Sequence, residues 1–280
     1  MVDGIWLVAV LAGVCWWTIT DTRQYRVFRT EQNTGRRQAF YWRWTVQSFL
    51  FLTVASVATL WLLGRLDALR TMPAEFAVLW PTRTAPARVT GSSDEQLGML
   101  VGALLSTGVA VLVWTRRVKT ALTPVVPEVM PLIPRNAAER WAALPLCLNA
   151  GYAEELFFRL ALPLLVTSVT GSVVVGTVVA VVVFGLVHWY QGWKGVVGTM
   201  LVGGLMTLVY VTSGSLVRVM VTHALIDVIG LIVRPMIGDR VTRRTSASAP
   251  GHDAAPTLAP RSPAPPHRSP LPPAHPPASR

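Results

Sequence analysis

The chain has 280 residues, of which 52% are hydrophobic and 14% charged, against about a quarter charged in an ordinary soluble domain. Apolar runs of about 17 residues or more, nearly free of charge, are long enough to cross about 30 Å of hydrocarbon. This excludes a soluble globular protein. The net charge of +11 suggests nucleic acid as a partner, but the arginines lie between apolar runs instead of along one face, and no nucleic-acid partner is expected.

Taken in chain order, the apolar runs predict an all-α, polytopic transmembrane bundle of seven spans, near residues 4–20, 44–64, 97–114, 142–168, 171–189, 195–212 and 216–233. The first is read as a retained span. Asp3 stands where a signal peptide needs basic residues, no small-residue cleavage site follows Cys15-Trp16-Trp17, and arginines come just downstream. Cys15 and Cys147 lie in or beside apolar runs without CxxC spacing, which suggests packing residues, not a zinc site or a disulfide. The fifth run is rich in valine, yet a helix is expected there, because an open strand in lipid leaves its backbone unpaired.

Alternate connections are basic. The first loop carries Arg23, Arg26, Arg29, Arg36, Arg37 and Arg43, and the third connection carries Arg116, Arg117, Lys119, Arg135 and Arg140. Lys194 follows span five, and Arg234, Arg240, Arg243 and Arg244 follow span seven. The positive-inside rule puts these in the cytoplasm, with the N-terminus outside and the C-terminus inside a cell membrane. On the opposite side, residues 65–96 offset Arg65, Arg70, Arg83 and Arg88 with Asp67, Glu75, Asp94 and Glu95. Residues 239–280, rich in Pro, Ala, Ser and Arg, have too few apolar residues for a core and are expected to be disordered. The expected division is 1–134 as N-terminal helices and loops, 135–238 as a catalytic core, and 239–280 as tail.

Three polar clusters interrupt three different spans. In Glu154-Glu155-x-x-x-Arg159, positions four apart stack on one helix face, so Glu155 pairs with Arg159 and Glu154 is left without a local partner. Phe184-x-x-x-His188 ends span five, and His223-x-x-x-Asp227 places an acid one turn from an imidazole in span seven, suited to orienting it. Ionisable groups within membrane spans mark pathways or sites. A Glu with two histidines can hold and deprotonate a water, directly or through a metal, while His and Asp stabilise an oxyanion. No serine or cysteine nucleophile motif accompanies them. The implied chemistry is water attack on an amide. The same groups suit a proton-coupled transporter or a silent peptide-binding protein, and residue types leave these alternatives open. They also leave open a divalent metal such as zinc, held by Glu154, His188 and His223, or none. At 1.5 Å per residue, Glu154 and His188 lie roughly 20–25 Å from the outer ends of their spans but His223 only about 12 Å. Tilt, a kink at Pro163 or a different start for span seven has to close that offset.

Glu-Glu-x-x-x-Arg, Phe-x-x-x-His and His-x-x-x-Asp, in that order on spans four, five and seven, resemble the motifs of the CPBP family of intramembrane proteases. That family includes the type II CAAX prenyl endopeptidases and bacteriocin-processing and abortive-infection relatives. The resemblance covers about residues 140–233. It implies Glu154 as the base that activates water and His188 and His223 as holders of that water or of a metal. Asp227 stands at the oxyanion-assisting position, often Asn in the family, and Glu155 and Arg159 are supporting residues. The implied substrate is a peptide or protein, lipidated in the best-known members, reached within membrane lipid. Leu160 replaces the glycine that often follows the motif arginine, and an ionised Asp227 accepts hydrogen bonds and does not donate them.

Overall fold

The computed structural model describes residues 1–80 and 127–236, all within the first of two units, Met1–Val241 and Thr242–Arg280. The expected third span, much of the third connection and the tail lie outside the described residues. Among those described, every regular element is helical, and six long helices stand where six of the seven expected spans were read. They are α1 (Val2–Phe28), α2 (Thr34–Leu62), α3 (residues 137–170), α4 (Val173–Val187), α5 (Gly192–Ser213) and α6 (Leu216–Met236).

Several helix ends are written in the local sequence. Asn33 caps α2 by accepting from Arg36 N, and Asn136 caps α3 by accepting from Glu139 N. The α3–α4 and α5–α6 hairpins use the same pair, Gly171-Ser172 and Gly214-Ser215. Each glycine ends a helix in the left-handed region, at φ 72° and 67°, where a β-carbon is disfavoured. Each serine then caps the next helix, accepting from Val175 N and Arg218 N.

The first connection is shorter than expected. Arg23 and Arg26 belong to α1, and Arg36, Arg37 and Arg43 to α2, because the helices continue past the apolar stretch into the polar zone. Arg37 is not an exposed orientation charge. It is buried, with Nε 2.9 Å from Glu139 Oε2, while Nη2 donates to Tyr41 Oη and to the carbonyls of Pro131 and Ile133. Its guanidinium sits 4.3 Å above the Phe28 ring. Arg37 thus joins α1, α2 and the start of α3.

At the opposite end, Arg65 forks onto Glu75 and draws its loop back on itself. That hydrogen-bonded pair holds the Glu75 carboxyl below the ordinary glutamate range. Because the folded value is depressed, the contribution is present above the ordinary value and is lost as pH falls through the folded one. Amide protection across residues 66–79, taken relative to the intrinsic exchange rate at each pH, is expected to fall as pH drops below the ordinary glutamate range. Glu75→Gln should remove that pH dependence; an unchanged profile in the variant would refute the assignment.

Helix α3 forms the core. From Leu156 to Val166 every residue is buried, in one cluster with α1, α2 and α4 and in a second with α2, α4, α5 and α6. A helix apolar on all sides belongs in a protein interior. Pro145 and Pro163 interrupt it, and its ladder widens to π turns over Ala150–Glu154 and Leu156–Ala161. Pro163 has no N–H for the carbonyl of Arg159, and a wider turn before it absorbs the mismatch. Glu154 and Arg159 fall in these widened turns, and Glu155 lies between them.

Candidate active site

The site begins where α3 meets α6. A β-carbon on Gly151 would lie 2.6 Å from both Met220 O and Ala224 N, so only glycine permits this approach of backbones, the small-residue packing typical of membrane helices. One turn further along α3, Glu155 Oε1 then reaches His223 Nδ1 at 2.6 Å. On its own helix Glu155 Oε2 lies 2.9 Å from Arg159 Nε, and Nη2 donates to Oε1 at 3.4 Å. The Nε contact is ionic and not aligned as a hydrogen bond, and Arg159 Nη1 is buried without a partner. Glu155 and Arg159 are closed off from solvent, with side chains 0% exposed. A buried charge requires an opposite charge beside it, and Glu155 has one in Arg159 and a donor in His223.

Glu155 therefore pairs with more than the sequence indicates. The i, i+4 rule identified Arg159 but not His223, which lies on another helix. The expected pairing of Asp227 with His223 is looser: Asp227 Oδ2 stands 3.8 Å from Nε2, an ionic distance and not a hydrogen bond. His223 thus has a carboxylate near each ring nitrogen. Equal depth counting fails because the two helices meet with their Thr170 and Leu216 ends staggered. The stretch Glu155–Thr170 is about twice as long as Leu216–His223.

Phe184 occupies the centre. The Arg159 guanidinium lies 4.7 Å above it, and its centroid is 5.2 Å from Phe158, 4.9 Å from His188 and 6.1 Å from His223. His188 ends α4, and its Nδ1 lies 2.7 Å from the Phe184 carbonyl. A carbonyl only accepts, so Nδ1 carries the proton and the neutral ring has its lone pair on Nε2. Glu154 Oε2 is buried with no hydrogen-bond partner, within electrostatic reach of His223, Asp227, Glu155 and Arg159.

The sequence reading allows a metal on Glu154, His188 and His223. Among the described residues no three His, Cys, Asp or Glu side chains are grouped to hold a metal ion. No step is assigned to a metal.

Residues 136–229 match the family model described as type II CAAX prenyl endopeptidase Rce1-like. This segment is similar to Rce1-like domains. The Rce1-like match spans about a third of the chain and contains every residue of the three motifs. It supports membership of the CPBP family, CAAX-type protease activity and a protein or peptide substrate. Together with four helices, among the described residues, that are apolar and long enough to cross a membrane, it makes this a multi-pass membrane protein. No curated protein and no solved structure gives a significant match.

Three residues near the Rce1-like site escaped the sequence reading. Tyr190, two residues after His188, has its ring 6.0 Å from that imidazole and lies within electrostatic reach of Asp21, Glu154 and Asp227. Asp21 and Tyr25 come from α1. Reading the first span as ending at residue 20 placed both in a loop. The available signal was an acid and a tyrosine one turn apart on a helix that continues past its apolar stretch.

Gly151→Ala is expected to force α3 and α6 apart, lowering stability by about 1–3 kcal/mol as overpacking does and lengthening the Glu155–His223 contact. Thermal unfolding in micelles would measure the first effect. A melting temperature equal to that of the parent would refute the close-approach argument.

Proposed function

We propose that the chain is an intramembrane endopeptidase in which Glu154 activates a water. The observation that carries this reading is the buried, unpartnered Oε2 of Glu154, on the same turn as a neighbouring carboxylate already engaged by Arg159 and His223. Adjacent carboxylates with and without partners can take different roles. Glu155 stays engaged and holds His223, while Glu154 is available to take a proton.

In the proposed step, Glu154 removes a proton from water as its oxygen attacks the scissile carbonyl carbon. The carbonyl π electrons move to oxygen, forming a tetrahedral oxyanion. His188 Nε2, a lone pair in the neutral ring, accepts a hydrogen bond from the water. His223, when protonated, donates from Nε2 toward the oxyanion, with Glu155 fixing its ring through Nδ1. Asp227 supports His223 instead of donating to the oxyanion itself. Collapse breaks the C–N bond, and the proton held by Glu154 passes to the leaving amine.

The catalytic core is assigned to residues 135–238, with the N-terminus outside and the C-terminus cytoplasmic. The site then opens toward the cytoplasmic half, where a lipidated peptide in the lipid phase can reach it. The test is cleavage of a farnesylated CAAX peptide by protein in liposomes, with products identified by mass spectrometry. Metal content and cleavage in chelator are measured on the same preparation. Proton flux in those liposomes without peptide cleavage would replace the enzyme reading with the transporter one.

A further inference from the structure

The turn after α4 is held from outside the family-matched residues. Tyr190 sits in the short turn Trp189–Gln191 that joins His188 to α5. Its ring is 5.0 Å from Tyr25 of α1, inclined at 54°, and 6.0 Å from His188. Tyr25 is buried, and its hydroxyl donates to the backbone carbonyl of Glu128. The Glu128 side chain in turn lies against Gly192, with carbons 3.8 Å from where a β-carbon would stand. Gly192 closes the turn at φ 72°. The three-residue turn is therefore gripped by α1 on one side and by the segment Pro127–Leu132 on the other.

We propose that Tyr190, packed on Tyr25 whose hydroxyl is held by the Glu128 carbonyl, is a positioning residue that fixes the His188 ring. The geometry makes this role specific. The Nδ1 bond to Phe184 O fixes one edge of the imidazole but leaves the ring free to pivot about that bond. Phe184 packs at 4.9 Å on one side and Tyr190 at 6.0 Å, so the two rings together limit the pivot. The Tyr190 hydroxyl accepts from Gln191 Nε2 at 3.1 Å, a contact within the turn itself. The ring, not the hydroxyl, is the part that meets His188. Helix α1 and residues 127–132 consequently complete a site whose motifs all lie elsewhere. This inference rests on the proposed protease reading for its kinetic test but not for its spectroscopic one.

The experiment compares Tyr190→Leu, Tyr190→Phe and Tyr25→Phe in the full chain. Nitrogen chemical shifts of His188, assigned by loss of its signal in His188→Gln, report the tautomer directly. Wild-type protein is expected to show a single form protonated at Nδ1, and Tyr190→Leu a mixture of Nδ1-H and Nε2-H forms. With the farnesylated peptide, Tyr190→Leu should lower kcat about 10- to 100-fold with KM changed less than about twofold, since a misplaced group acts on the chemical step. Tyr190→Phe should restore both the spectrum and kcat to within about threefold. Tyr25→Phe should fall between, through loss of its bond to Glu128. An unchanged spectrum in Tyr190→Leu overturns the proposal. So does a loss in Tyr190→Phe as large as in Tyr190→Leu, which would assign the effect to the hydroxyl. If wild-type protein cleaves no peptide, the protease reading fails while the tautomer measurement still decides the role of Tyr190.

Discussion

Glu154→Gln is expected to lower cleavage of the farnesylated peptide by three orders of magnitude or more while leaving folding and membrane insertion intact. A positioned general base contributes about 10²- to 10⁴-fold, and here it also generates the nucleophile. The amide is nearly isosteric with the carboxylate, so packing around α3 is preserved, and Oε2 has no hydrogen-bond partner to lose. The substitution therefore removes a proton acceptor and little else. Glu155→Gln provides the contrast. It weakens the contacts with Arg159 and His223 together and should lower stability as well as activity. Cleavage by Glu154→Gln at the wild-type rate would eliminate the proposed base.

The largest stability effect is expected at the other buried ion pair. Glu139→Leu should destabilise the fold by about 3–5 kcal/mol, the usual consequence of leaving one member of a buried pair unmatched. Glu139 accepts from Arg37 Nε, from the Arg135 backbone N–H at 3.0 Å and from the Thr34 hydroxyl at 3.2 Å. Removing it leaves Arg37 buried among carbonyls and aromatic rings without a counter-charge. The double variant Arg37→Met, Glu139→Leu should recover much of the loss, because no unpaired charge then remains. Unfolding of the single and double variants in micelles measures the difference. Equal melting temperatures for Glu139→Leu and the parent would refute the role given to the pair.

Both effects concern charges in an apolar protein, and they differ in how far the sequence revealed them. The helical membrane class was legible because hydrocarbon excludes any backbone that does not bond to itself, and apolar runs of span length have few other uses. Helix ends at Asn33, Asn136, Ser172 and Ser215 were equally local, each a side chain bonding a backbone N–H three residues on. The Glu155–Arg159 pair followed from helical spacing alone.

The sequence by itself determined that this is a helical membrane protein with acids, imidazoles and a guanidinium on three spans, since period and composition are properties of the chain. Only the tertiary structure decided which of them meet. The Glu155–His223 contact depends on the close approach of backbones at Gly151. The placement of Arg37 against Glu139 and of Tyr190 between Tyr25 and His188 depends on how separate helices pack. Spacing rules reach one turn along a helix, whereas the Glu155–His223, Arg37–Glu139 and Tyr25–Tyr190 contacts join residues far apart in sequence, and packing sets such distances.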